Sequence, residues 1–292
     1  LYYSKIIDNK AVHLKLLYQA LMARAATLQF LGNSVEAATD FTAAAETARR
    51  ARYPQEKISA ALYSAGLVQF INASVQKDIS LFISSATFFR RDIVEDTIHR
   101  EKAYLMQAQA LRKAGQQQQA ALLLQGMHTL YPKNHHALFL RGLCLIEAGQ
   151  SLAGIATLTA FVKKSPQDKR LGQALIEALR AAIYSLDRRQ SARKSLNLIK
   201  LFEETLKATP DDQILNSAAP AIHHLKALML WKQNRSKKAA EHWHLFLSKY
   251  PQHYLTVEVH LWLAFNILRS EEPHIEKAQE HFEYILQNHS KT

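Results

Sequence analysis

Apolar residues recur every three or four positions over long stretches of this chain, and Ala, Leu, Gln, Glu, Lys and Arg dominate the windows between. Runs of alternating β-branched residues are missing. That period keeps one face of an α-helix apolar, and the residue types are good helix formers. Helices are therefore predicted over nearly the whole length and strands almost nowhere. Glycines and prolines read as punctuation between the periodic stretches rather than as residues within them.

The spacing of the prolines sharpens the pattern. Tyr131-Pro132 and Ser165-Pro166 stand 34 residues apart. A frame of that length from Glu101 to Asn134 places Tyr104, Gln107, Ala108 and Leu111 on a first helix, Gly115 in a turn, and Ala120, Leu124 and Met127 on a second helix closed by Pro132. The next frame, His135 to Asp168, repeats this with Leu138, Gly142, Leu145, Gly149, Gly154, Leu158, Phe161 and Pro166. Small residues at Ala108, Ala120, Gly142 and Gly154 let paired helices approach, while Leu124 and Phe161 fill the space between pairs. Proline stops the second helix. This part of the chain resembles the tetratricopeptide repeat family, whose period is 34 residues, with Tyr104 and Leu138 where the family usually has Trp.

Fainter copies flank these two. Ala25, Leu28, Gly32, Ala37, Phe41 and Ala44 keep the frame near the start, and residues 55–100 read as a further helix pair. Lys169 to Asp212 needs 44 residues, which predicts helices about one turn longer each, with the stretch Ile183 to Lys194 as the expected bend. From Pro220, Ala227, Leu230, Asn234, Ala239, Trp243, Phe246 and Pro251 follow the pattern, with Asn in place of the turn glycine. A last copy from Tyr254 carries an insertion at Glu271-Glu272-Pro273. About seven pairs result. The fold class expected is all-α: one right-handed superhelical solenoid of antiparallel helix pairs over residues 1–292, comprising 1–100 (divergent), 101–168 (clear), 169–212 (extended) and 213–292 (C-terminal).

Composition narrows the function classes. In 292 residues, 37 Lys and Arg face 25 Asp and Glu, a formal charge of +12 that favours anionic partners or simply keeps the chain soluble. One cysteine, Cys144, excludes an internal disulfide framework and any multi-cysteine zinc site. The uncharged stretches Ile58–Gln76 and Ala114–Pro132 contain too many polar residues to read as membrane spans. The chain begins at Leu1 rather than Met, which fits a region of a longer bacterial assembly, secretion or regulatory protein. A cytoplasmic setting is favoured, with a periplasmic or membrane-tethered one if a leading segment has been removed.

The motifs of common catalysts (HExxH, a phosphate-cradling glycine loop, GxSxG) are missing, so no catalytic residue, metal or cofactor is assigned. Cys144 falls at a packing position and reads as a small core residue. The histidine clusters His135-His136, His223-His224 and His242-Trp243-His244 have spacings that splay the rings around a helix rather than converge them on a metal.

What the resemblance implies is a binding groove lined by the first helix of each pair. Helical periodicity then exposes Lys102, Gln109 and Arg112; His136, Phe139 and Leu143; Arg170, Gln173, Glu177 and Arg180; and His224 and Trp231. As a surface this is an apolar strip with basic flanks, suited to a protein or peptide ligand that sets acidic residues around apolar anchors. Equally, Phe139 and Leu143 could pack against a neighbouring helix. Basic clusters at Arg49, Arg50 and Arg52, at Arg90 and Arg91, and at Lys163, Lys164, Lys169 and Arg170 suit helix C-termini. Those at Arg188, Arg189, Arg193 and Lys194, and at Lys232, Arg235, Lys237 and Lys238, lack that explanation. The expected function is a protein–protein interaction scaffold, with nucleic-acid binding through the Arg188–Lys194 patch as the alternative.

Overall fold

The computed structural model describes residues 2–8, 13–95, 100–270 and 272–288, and among these it contains fifteen helices and no strand. It divides into two compact units, Leu1–Cys144 and Leu145–Thr292. The first holds α1 (Tyr2–Ile7), α2 (Leu14–Phe30), α3 (Ser34–Arg50), α4 (Gln55–Gln76), α5 (Ile79–Glu95), α6 (Arg100–Lys113) and α7 (Gln117–Leu130). It also holds most of α8 (His135–Glu147). The second holds α9 (Ser151–Lys164), α10 (Leu171–Ser185), α11 (Arg188–Ala208), α12 (Gln213–Lys232), α13 (Ser236–Lys249), α14 (Thr256–Leu268) and α15 (Ile275–Asn288). In chain order, α2 to α15 make seven helix–turn–helix segments.

One turn recurs within these segments. Gly32, Gly115, Gly149 and Asn234 take the left-handed conformation, with φ of 83°, 79°, 79° and 61°. The following N–H then donates back to a carbonyl of the last helical turn: Asn33 to Leu28, Gln116 to Leu111, Gln150 to Leu145 and Arg235 to Leu230, at 2.8–3.0 Å. This C-cap satisfies carbonyls that the helix end would leave unpaired, and Gly or Asn pays least for its φ. A second turn ends the pairs. Tyr131, Ser165, Thr209 and Tyr250 share φ between −128° and −136°, as the residue before a proline must avoid the helical region.

In the first unit each helix from α2 to α6 packs on the next. Its core is rich in alanine: Ala44, Ala45, Ala48 and Ala61 around Tyr18, Leu21 and Leu62, then Ala25, Ala37, Ala38 and Ala65 around Phe41 and Val68. At Gly66 a Cβ would lie 2.8 Å from the Phe89 ring, so the missing side chain is what lets that ring rest on α4. α4 is long and apolar enough to cross a membrane by length and composition, but here Ile58, Ala61, Leu62, Ala65 and Val68 are buried in the helix stack. Arg24 spans to α3 and binds both oxygens of the buried Asp40 at 2.7 and 2.8 Å.

The second unit packs α10 against α9, α11 and α12, and pairs α12 with α13 and α14 with α15. Larger side chains fill it, among them Phe161, Leu171, Leu175, Leu179, Trp243 and Phe246. Gly172 lies within α10, where a Cβ would meet Ala218 at 2.9 Å, so α10 and α12 cross closely there.

Four expectations change. The 44-residue segment is not lengthened evenly: α10 has 15 residues and α11 has 21, against 14 in α9. The expected bend is a short turn at Leu186-Asp187, where the Asp187 carboxylate caps α11 by accepting from Arg189 and Gln190 N–H at 3.0 Å each. Pro220 does not open a unit. It lies buried inside α12, which begins seven residues earlier because Asp212 caps it through Ile214 and Leu215 N–H. Likewise Gly66, Gly126 and Gly172 sit within helices rather than between them.

Candidate functional site

In the second unit the first helices of three successive pairs, α10, α12 and α14, contribute to one surface. Two of its positions are tied together beneath it. The buried Trp243 Nε1–H donates to His224 Nδ1 at 3.3 Å, which leaves the His224 proton on Nε2, facing Glu258 Oε1 at 3.3 Å. That bond, joined by one from Trp262, holds the Glu258 carboxyl below the ordinary range despite burial. Lys232 donates to the carbonyls of Ile183 and Leu186, closing the C-terminal end of α10 where a cation is favoured.

Upon this frame sit the aromatic groups. Trp231 of α12 meets Trp262 of α14 edge to face, ring centroids 4.9 Å apart, and Trp262 stacks on Trp243 at 6.2 Å. Arg269 lies over the Trp231 ring at 4.8 Å. Phe265 and Tyr184 are 43% and 58% exposed, and Tyr184 is within electrostatic reach of both Glu258 and Arg180. Arg180 and Glu177 form an ion pair at 3.6 Å. The result is a half-exposed aromatic strip with guanidinium groups along it. Large rigid rings and arginine are the groups that most often anchor a polypeptide ligand.

Beside this strip opens a cleft of about 1100 Å³ with Trp231 and Arg269 at one wall and the start of α13 at another. Arg235, Lys237 and Lys238 line it, as do Glu272 and His274.

The residues expected to form a groove are distributed unevenly. Trp231 and Glu177 are half-buried on the strip, and Gln173 is exposed on α10. His224, Phe139 and Leu143 are 3%, 4% and 6% exposed, so they are core residues and no groove surface is available at them. Their helices are apolar on more than one face, which periodicity alone cannot assign. Arg170 grips Asp168 at 2.6 and 2.8 Å and lies over the Phe161 ring, an arrangement that holds the start of α10. In the first unit Lys102 is exposed, while Gln109, Arg112 and His136 are half-buried. Of the basic patch, Arg189 and Arg193 are exposed on α11 and the Arg188 side chain lies outside the described part. Lys194 lines a pocket of about 570 Å³ with Lys163 and Lys200. Among the described residues, no three His, Cys, Asp or Glu side chains group as a metal site, and Cys144 is buried.

Sequence reasoning missed Tyr184, Glu258, Trp262, Phe265 and Arg269. Glu258, Trp262 and Phe265 recur at helical spacing along α14 and Arg269 is its C-cap, but the faint final copy obscured the register.

The repeating hairpins and their shared turns agree with comparison to known proteins. Residues 102–134 and 136–168 each match the family model of the tetratricopeptide repeat. Residues 102–168 thus carry two tetratricopeptide repeats within a helical-repeat fold. Among solved structures, a tetratricopeptide repeat protein from Parabacteroides merdae is 15% identical, with 92% of each chain covered and a TM-score of 0.54. YrrB, described as a TPR protein with an unusual peptide-binding site, is 18% identical over 75% of this chain and 98% of its own, with a TM-score of 0.46. No curated protein matches the sequence significantly. Repeats of this kind serve generally as protein–protein interaction scaffolds; the strip on α10, α12 and α14 lies beyond the two matched repeats, on the first helices of three later helix pairs.

Proposed function

We propose that this protein works by binding rather than by catalysis, and that the α10–α12–α14 strip holds a short segment of a partner protein. The observation that carries this reading is the pair Trp231 and Trp262, half-exposed on consecutive first helices, with Arg269 over Trp231 and Arg180 within electrostatic reach of Tyr184 and Glu258. A complementary ligand offers an aromatic or leucine anchor to the rings and acidic residues to the guanidinium groups. In the first unit Lys102, Gln109 and Arg112 on α6 offer a second, more polar contact strip.

The test is selection of a displayed random-peptide library on the purified chain, followed by affinity measurement on the enriched peptides. Peptides pairing an apolar anchor with Asp or Glu should emerge. Changing Trp262→Ala together with Arg180→Ala should weaken them at least tenfold. A library that yields no consensus, or peptides indifferent to both changes, would remove the strip as the binding site.

A further inference from the structure

Four hairpins of this chain share one backbone geometry at the start of their second helix, and in one of them the side chains break the pattern. Asn33, Gln116, Gln150 and Arg235 occupy the same position, each directly after the left-handed residue, with ψ of 66°, 49°, 55° and 53°. Three of the four are neutral amides, and the first turns they lead into read Ser-Val-Glu, Gln-Gln-Gln and Ser-Leu-Ala. The fourth reads Arg235-Ser236-Lys237-Lys238. The fold itself therefore asks for no cation at this place. The first turn of α13 has no acidic residue, and its N-cap side chain makes no capping bond. Three cations consequently sit at the positive end of a helix dipole, where they oppose it. Each is exposed, and none takes part in an ion pair among the described residues.

These cations do not point into open solvent at random. With Arg269 and Trp231 they line the same cleft, whose one carboxylate among the described residues is Glu272. Among the described lining residues, four positive charges against one negative, together with uncapped helix N–H groups at the rim, give the cleft a field that favours an anion. The cleft is far larger than one phosphate needs, and it shares Trp231 and Arg269 with the aromatic strip.

We propose that the cleft holds an acidic stretch of polypeptide, several Asp or Glu residues long, flanking the anchor that docks on the strip. The identity of the ligand as polypeptide rests on the binding function proposed above; the anion preference rests on the cleft alone. Carboxylates meet Arg235, Lys237 and Lys238 and offset the charge that α13 carries against its own dipole. Arg269, stacked on Trp231, joins the anchor site to the acidic one.

The experiment uses fluorescence anisotropy with three labelled synthetic peptides: a Leu-Phe anchor followed by six Glu, the same anchor followed by six Gln, and six Glu without an anchor. They are titrated against the full chain and against a variant carrying Arg235→Glu, Lys237→Glu and Lys238→Glu, with circular dichroism to verify equal helicity. The Glu peptides should bind the parent chain in a salt-dependent manner and lose at least tenfold in affinity to the variant. The Gln peptide should bind both chains alike. Failure of the Gln peptide alone would count against the aromatic strip and leave the cleft standing, provided six Glu still discriminates between the chains. Equal binding of the Glu peptides to both chains overturns the proposal. So does a dT12 oligonucleotide that binds more tightly than the acidic peptides and is lost in the same variant, since that would make the cleft a nucleic-acid site.

Discussion

At the C-terminal end of α3, Arg49 donates to Glu46 and to Glu95 at 2.6 Å each, and Arg91 reaches the same Glu46 at 2.8 Å. Hydrogen bonding from Arg49 holds the Glu46 carboxyl below its usual range. At the start of α13, Arg235, Lys237 and Lys238 face a cleft and form no ion pair among the described residues. The first group stands where the helix dipole welcomes cations and carboxylates lie within reach; the second stands where the dipole opposes them. Two runs of basic residues that look alike in the sequence thus differ in what they do. One is accounted for by the stability of its own unit, and the other becomes intelligible through something outside the chain.

The two units can be set against each other by experiment. The largest effect is expected at Phe139 in the first unit, which is 4% exposed. Phe139→Asp buries an uncompensated carboxylate and should cost roughly 3–5 kcal/mol or unfold the unit. A thermal transition by circular dichroism that does not move would show that this ring is not core. In the second unit Trp243→Ala should cost about 3–5 kcal/mol through lost packing, and it also leaves His224 Nδ1 without its donor. All three tryptophans of the chain lie in this unit, so the remaining fluorescence reports on it directly. An unchanged denaturant midpoint would contradict the burial of Trp243 in this core.

Acid should separate the units next. His260 Nδ1 lies 2.8 Å from His281 Nδ1 with Tyr284 stacked on the ring, and burial followed by the charges of His281 and His244 lowers the His260 pKa to about 4. Burial also lowers His223, His242, His253 and His281. A depressed histidine protonates first in the unfolded chain. The second unit therefore keeps its full stability above pH 6.5 and loses it as the pH falls from 6.5 towards 4, with His260 alone contributing on the order of 2–3 kcal/mol. Tryptophan-monitored denaturation at pH 7 and pH 4.5 tests this. The midpoint should drop, and His260→Phe should lessen the drop; equal midpoints in the parent chain would refute the assignment.

The smallest effects carry opposite signs. Arg49→Glu sets a third carboxylate beside Glu46 and Glu95 and should cost about 1 kcal/mol. Lys237→Glu relieves a cation at a helix N-terminus and should stabilise by about 0.3–1 kcal/mol. Should both prove destabilising, the contrast between the two basic clusters would fail.

The repeating architecture was legible because its signals are local. A left-handed residue between helices needs Gly or Asn, so Gly115, Gly149 and even Asn234 announce their turns in sequence. A residue before proline avoids the helical region, so Tyr131-Pro132 and Ser165-Pro166 mark the ends of pairs. Pro220 carried the same cue and misled, because the Asp212 cap and buried packing outweigh one proline inside α12. Along the first helices, periodicity could name an apolar stripe but not its occupant, and so it placed Phe139, Leu143 and His224 in a groove.

Amino-acid order alone thus determined the helices, their turns and the 34-residue beat, all decided by interactions within a few residues. Only the tertiary structure decided which side chains face a ligand. Trp231 meets Trp262 31 positions away, and Arg269 closes over Trp231 from 38 positions along the chain. Those meetings follow from how successive helices cross. Crossing is fixed by the sum of many packed contacts, including the missing side chain at Gly172, and no local pattern records that sum.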